Sequence, residues 1–388
     1  IMIENYLSPV PFSIIDFFSD SEDEILGKKI LVHDELNGIP SLADADIAIL
    51  GVQEDRNSFR QHPCSAGADA VREKLYQLYP GRWHKKIADL GNIYKGETVE
   101  DTYFALNEVA TEVIKNNAVL VIIGGSQDLT YANYRAYDNL EQTVNLTSID
   151  SRFDLGKKDD TLHSESFLSH IVLQQPYNLF NYCNIGYQSY YVHPEQKDLM
   201  ENMFFDTLRL GEVRNDLSSA EPILRDSDLV TLDISSLKEN EITGADFESP
   251  HGFLKEEICA LSRYAGISDK VSSFGIYNYS PLSDDDKITA DFIAQALWYF
   301  FEGVELRKGD YPYTQKRDYI KFTVLLEEED LEMIFYKSPK SGRWWIEIPN
   351  EFKGIAQHGL LPCTKNDYEL AKNGEIPQRW WNAIKKSV

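Results

Sequence analysis

The chain has 388 residues, with 38 Lys and Arg against 63 Asp and Glu, a formal charge of −25. That length can bury the core of one large or two ordinary domains. The acidic excess argues against nucleic acid and anionic membrane surfaces as partners and suits a site that attracts cations. The four cysteines, Cys64, Cys183, Cys259 and Cys363, fit no CxxC or Cys/His zinc spacing. They read as reduced core residues of a cytoplasmic protein. The opening stretch IMIENYLSPVPFSIIDFF carries Glu4 and Asp16 and no basic region, so it is a poor signal peptide. No apolar run approaches the ~18 residues that would span a bilayer.

Residues 1–43 read as a lead-in segment packed on the main domain, with an acidic turn (SDSEDE) and a candidate strand, KKILVH. From Asp44 a regular pattern begins. DADIAILGV predicts a buried strand, and ADAVREKLYQLY predicts a helix with Val71, Leu75 and Leu78 on one face. IADLGNI is a short strand or edge segment. A helix then starts near Thr98, where Asp101 three positions on signals a capping box, and stops at Asn116-Asn117. AVLVII and TVNLTSI are two further strands, each running into a polar turn. NYCNIGY, DLVTLDI and VSSFGIY follow, with EEICALSRYAG and TADFIAQALWYFFEG as helices. Strand, loop and helix in alternation predict an α/β domain over 44–303, three layers deep, with a mostly parallel central sheet.

After Gly303 the character changes, and 304–388 reads as a small C-terminal α+β extension. DYIKFTVLL is a strand candidate. LEMIFYKSPKSGRWWIEIP predicts a hairpin with Leu331, Met333 and Phe335 facing Trp344, Ile346 and Ile348. Short helices begin at Thr364 and Pro377, and their aromatic residues are expected to pack the extension onto the main domain or a neighbouring subunit.

Chemistry concentrates in the turns at the carboxyl ends of the strands, which in an open parallel sheet face one crevice. Gly124-Gly125-Ser126-Gln127-Asp128 leaves one strand. Asp150-Ser151-Arg152-Phe153-Asp154 leaves the next, and Asp233 ends a third. Three carboxylates at such positions repel one another unless a cation or basic group neutralises them.

The ordered series GG-x-x-x, D-x-x-x-D, His163, a strand-terminal Asp233 and then SPHGFLKEE resembles the ureohydrolases, the arginase, agmatinase and formimidoylglutamase group. The resemblance spans about residues 44–303 and leaves the C-terminal region outside. It implies an arginase-like fold and, in the family at large, two manganese ions with a bridging hydroxide. The family's metal ligands lie in GGDH, DAHxD and FDxD motifs. Carried over, they fall on Gln127; on Asp150, Arg152 and Asp154; and on Asp233 and Ser235. One position keeps the oxygen donors Gln127, Asp150, Asp154 and Asp233, which suit a hard cation. The other is lost at Arg152 and Ser235, because a guanidinium offers only donors. Arg152 is expected to bridge Asp150 and Asp233. His163 matches the family's proton-shuttling histidine, and Glu257 the acid that meets the substrate's guanidinium-type group.

The resemblance therefore implies no two-manganese centre, and either no metal or one divalent cation, Mn or Mg. The leading expectation is a pseudoenzyme that binds a small guanidino or amidine ligand or, through its C-terminal extension, a partner protein. The alternative is a single-metal hydrolase of a guanidino or formimino C–N bond, and a third reading is a structural subunit. A homo-oligomer is expected; nucleic acid and membrane are not.

Overall fold

The computed structural model describes residues 3–18, 24–140, 142–157, 160–310, 316–326, 331–349 and 359–387. Apart from Glu24, the expected acidic turn lies outside them. Nine strands form one sheet: β1 (Leu31–Val32), β2 (Ile47–Val52), β3 (Ile87–Ile93), β4 (Val119–Ile123), β5 (Val144–Ile149), β6 (Leu179–Tyr187), β7 (Asp206–Arg209), β8 (Leu229–Asp233) and β9 (Ser273–Tyr277). Their spatial order is β1-β3-β2-β4-β9-β8-β5-β6-β7, and every pairing is parallel.

Parallel strands covered on both faces read as near-continuous apolar runs, and these do. All of β2, β4, β8 and β9 is buried. Alternate side chains serve opposite layers. Ile47, Ile49, Val119 and Val121 join the cluster formed with helices Gly67–Leu75, Lys255–Ile267 and Ile288–Glu305. Ala48, Leu50, Leu120 and Ile122 join the cluster formed with helix Val99–Lys115. Thr98 caps that helix as its sequence predicts, accepting from Asp101 N while Asp101 accepts from Thr98 N. IADLGNI is β3, second in the sheet. The two-residue β1 forms the edge beyond it, and Ser8 bridges Asn92, so the lead-in segment extends the main sheet.

The C-terminal region is an antiparallel sheet of β10 (Ile320–Leu326), β11 (Leu331–Lys337), β12 (Trp344–Glu347) and β13 (Leu360–Cys363), with the predicted hairpin at its centre. Met333, Phe335, Trp344, Ile346 and Ile348 pack against Trp380 and Ile384 of the last helix. Trp345 faces the other way, fully buried, with the Arg225 guanidinium 4.6 Å from its ring centre. Arg225 also donates Nη2 to Cys363 O at 2.9 Å, so the extension docks on the segment that leads into β8. The strands β7 and β13 carried no sequence signal: one is four residues with charged ends, the other holds a proline at the sheet edge. All four cysteines are buried and free, and no helix among the described residues is long and apolar enough to cross a membrane.

Under the sheet, Arg72 is fully buried and forks onto Asp89 with two bonds of 2.8 Å, while also donating to Gly91 O and Asn92 Oδ1. Removing one partner strands the other charge in the core. Arg72→Ala is expected to cost ~3–5 kcal/mol, measured as a shift in the denaturant midpoint.

Candidate functional site

Four adjacent strands, β4, β9, β8 and β5, deliver the site residues in that spatial order from their carboxyl ends. Gln127 follows β4, Asn278 follows β9, Asp233 ends β8 and Asp150 follows β5. Asn278 Oδ1 accepts from Gln127 N at 3.1 Å, and Asn278 Nδ2 donates to Asp233 Oδ2 at 2.9 Å and to Gln127 Oε1 at 3.3 Å. Gln127 Nε2 donates to Asp150 Oδ2 at 3.2 Å. Arg152 N closes on Asp150 Oδ1 at 3.0 Å, and Ser235 N on Asp233 Oδ1 at 2.8 Å. Each carboxylate is thus held by donors from more than one loop.

The backbone is shaped for this. Asp154 and Asn278 have φ of 50° and 66°, left-handed values that cost energy outside glycine and persist where surrounding contacts enforce them. At Gly125 a Cβ would lie 1.9 Å from Glu54 O, so only glycine lets the turn after β4 press against the loop after β2.

Burial dominates the electrostatics. It pushes the Asp150 carboxyl up from 3.8 to about 7, with the nearby Asp233 charge adding to the effect. Asp154 is raised well above its usual value, first by burial and then by the neighbouring Asp150. Asp233 is also raised by burial, against the opposing bonds from Ser235 and Asn278. Asp246 is a fourth acid of the cleft, raised well above its usual value by burial and by Asp233 and Glu165. Its loop is pinned by short bridges, Leu237 to Phe253, Lys238 to Ser249 and Ala245 to Tyr279.

The expected bridge from Arg152 to Asp150 and Asp233 is not what the structure shows. The Arg152 guanidinium turns outward, donates Nη1 to Glu165 Oε1 at 3.2 Å, and lies 4.0 Å from the Phe247 ring centre and 5.2 Å from that of Tyr191. A long side chain rooted at the cleft floor reaches its mouth, where a carboxylate and two rings receive it. His163 is on the same mouth loop as Glu165. Its ring lies 4.7 Å from that of Phe59, tilted by 31°, while Nδ1 accepts from Glu165 N and Nε2 lies 3.4 Å from Asp160 Oδ2. Glu257 lies at the start of helix Lys255–Ile267, accepting from Leu254 N at 2.8 Å and pairing with Arg214 at 2.9 Å. Both of its oxygens are engaged there, and neither bond is to a cleft residue. Among the described residues, no three His, Cys, Asp or Glu side chains are arranged as the donor set of a metal ion.

The family comparison reaches Asn278, which stands in FGIYNYSP where the ureohydrolase pattern has Glu, whereas Asp246, Arg60, Glu165, Phe247 and Tyr191 carry no motif signal.

The sheet order and the residues at its strand ends fit the arginase-like fold that the sequence resemblance implies. A model of the arginase family matches residues 45–302, and the chain belongs to that family. Among its relatives is the formimidoylglutamase of Staphylococcus aureus (strain MSSA476), 24% identical over 248 residues, covering 61% of this chain and 78% of that one. Among solved structures, Trypanosoma cruzi formiminoglutamase with Mn2+2 matches at a TM-score of 0.63 and 20% identity, covering 70% of this chain and all of that one. Formimidoylglutamase from Bacillus subtilis matches at a TM-score of 0.66 and 14% identity, over 75% of this chain and 95% of that one.

The acids give a test with a definite sign. Between pH 3.8 and about 7 the folded chain holds a proton on Asp150 that the unfolded chain has released. Stability of the protein in chelator must therefore fall as pH rises through that window. Asp150→Asn is expected to flatten that fall in urea denaturation at successive pH values.

Proposed function

We propose that this protein is a hydrolase of linear amidines, acting on a formimino or guanidino C–N bond with no more than one divalent cation. The single observation that carries the reading is the cleft floor. Asp150, Asp154, Asp233 and Asp246 act on one another at the ends of β5 and β8 and in the loop after β8, their carboxyls are raised, and an amidinium head is the cation that would favour their charged forms. Family membership and the formimidoylglutamase relatives support the same class of chemistry.

A manganese pair does not fit these residues. Its second position would fall on Arg152, whose guanidinium has no lone pair to give and points to Glu165, and on Ser235, which is neutral. The first position keeps donors of a kind that suits Mn or Mg, the carboxylates of Asp150, Asp154 and Asp233 and the Gln127 amide oxygen, but the described residues do not hold the three acids as a donor set. A cation there would have to displace the Asn278 bonds to Gln127 Oε1 and Asp233 Oδ2. When bound it supplies a water of lowered pKa. The remaining work falls to the chain's own groups. The acids bind and orient the amidinium. His163, on the mouth loop, would take a proton from the attacking water and give it to the leaving nitrogen.

A second reading is favoured by one observation. Arg152 puts a fixed positive charge into the cleft wall, and its ion pair with Glu165 is what a cleft evolved to bind without turnover would also use. In that case the protein holds the amidine and does not cleave it.

Incubation of the purified protein with N-formimino-L-glutamate, arginine and agmatine, with added Mn or Mg, separates the readings. Release of formamide or urea, with at most one bound equivalent of metal by elemental analysis, is the expected result. Saturable binding with no product would give the second reading, and two equivalents of manganese would overturn the site assignment. The triple change Gln127→His, Arg152→His and Ser235→Asp is expected to raise manganese to two equivalents.

A further inference from the structure

The edge of a β-sheet is a row of unpaired N–H and C=O groups, and folded proteins blunt it with short strands, charge, proline or a covering element. Three of the four sheet edges here are blunted in this way. β1 is two residues long. β7 is four residues long, and the last helix meets it where Asn382 Nδ2 donates to Asp206 Oδ1 at 3.2 Å. β13 carries Pro362, and Arg225 Nη2 holds its Cys363 O at 2.9 Å.

The fourth edge, β10, has none of these devices. Its seven residues, IKFTVLL, pair with β11 in unbroken register from Ile320 opposite Lys337 to Leu326 opposite Leu331. It has no proline, and Lys321 is its single charge. Among the described residues, no strand pairs with its outer side. Ile320 is 50% exposed and Leu325 63%. The strand is also held from a fixed base: Tyr319 OH donates to Asp310 Oδ1 at 2.5 Å, and Asp310 N donates to Asp269 Oδ2 of the main domain at 2.9 Å.

The flanking charge selects what fits this edge. Lys316 and Arg317, with Asp318, precede the strand, and Glu327, Glu328, Glu329 and Asp330 follow it. Laid antiparallel to itself, the strand brings the start of one copy beside the end of the other, so basic residues approach acids. A parallel pairing would set the two acidic runs side by side. With the antiparallel register centred on Thr323, all seven residues overlap. Ile320 then stands opposite Leu326 of the second copy, Lys321 opposite Leu325, Phe322 opposite Val324, and Thr323 opposite itself. No like charges face each other within the strand. Phe322, Val324 and Leu326 already line the apolar layer under helix Lys365–Lys372, with the Phe322 ring 5.2 Å from that of Tyr368, and the same layer continues across the seam.

We infer that the β10 edge is the contact through which two copies of this chain pair, as a two-fold dimer whose four-stranded sheets join into one continuous sheet. The surface lies outside residues 45–302, which match the arginase family, and the pairing stands whatever the cleft binds.

Sedimentation of the full chain across a dilution series tests it. The wild type is expected to contain an even number of chains. Thr323 is exposed on β10. Thr323→Lys or Thr323→Glu sets like charges opposite one another on the two-fold axis, which should weaken pairing by about ten-fold or more and halve the number of chains on dilution. Mixed one to one, the two variants set Lys against Glu and should regain the wild-type mass. An unchanged melting temperature checks that each variant is folded. A wild type that sediments as a single chain or another odd number overturns the inference, as does a variant as strongly associated as the wild type. So does a mixture that stays dissociated, because an edge that pairs with some other molecule has no reason to be rescued by the opposite charge on a second copy.

Discussion

Acid groups buried at the carboxyl ends of two neighbouring parallel strands, β8 and β5, set the terms for everything else in this molecule. Parallel strands need helices on both faces, and helices on both faces exclude water from the strand ends. Carboxylates placed there must find a cation, a proton or a donor. Here, donors do much of it: the amides of Gln127 and Asn278 reach across strands, and backbone N–H groups of Arg152 and Ser235 complete the set, while burial favours the protonated forms of Asp150 and Asp154. Since those donors come from four different loops, the same bonds that quiet the charge also fix the relative positions of the loops.

The differences from the ureohydrolase motifs form one consistent set when viewed this way. An arginine at 152 brings a charge that must be received somewhere, and Glu165, Phe247 and Tyr191 receive it. Its length matters as much as its charge. A histidine there would stop at the floor; the guanidinium passes the floor and joins Arg60. Asn278 does the complementary job below, giving an N–H to Asp233 where an acid would have added another negative charge.

Much of the frame was legible in the sequence, because its signals are local. The capping pair Thr98/Asp101 marks one helix start and is present, and the helix expected from Thr364 begins there with Thr364 as its cap. The hairpin faces followed from alternation alone. The cleft was legible in part: Gln127, Asp150, Asp154 and Asp233 sit together because each ends a strand. The rest depended on strand order. Asn278 matters only because β9 lies between β4 and β8, a fact with no local trace. Arg60 and Glu165 meet from loops 105 positions apart. Glu257 illustrates the opposite error. An acid three residues into a helix also satisfies the free N–H groups at its start, and here it does so while pairing with Arg214.

The antiparallel extension attaches through Arg225 and Trp345, at the end of the strands away from the cleft. A graft at that pole leaves the reactive rim untouched. Its surface can drift, acquire new contacts or be remodelled by selection without disturbing a single donor to Asp150 or Asp233, and the cleft can exchange ligands over evolutionary time without loosening the graft. The docked extension and the cleft acids thus meet the same sheet at opposite ends of its strands, so a substitution at one end touches no bond at the other.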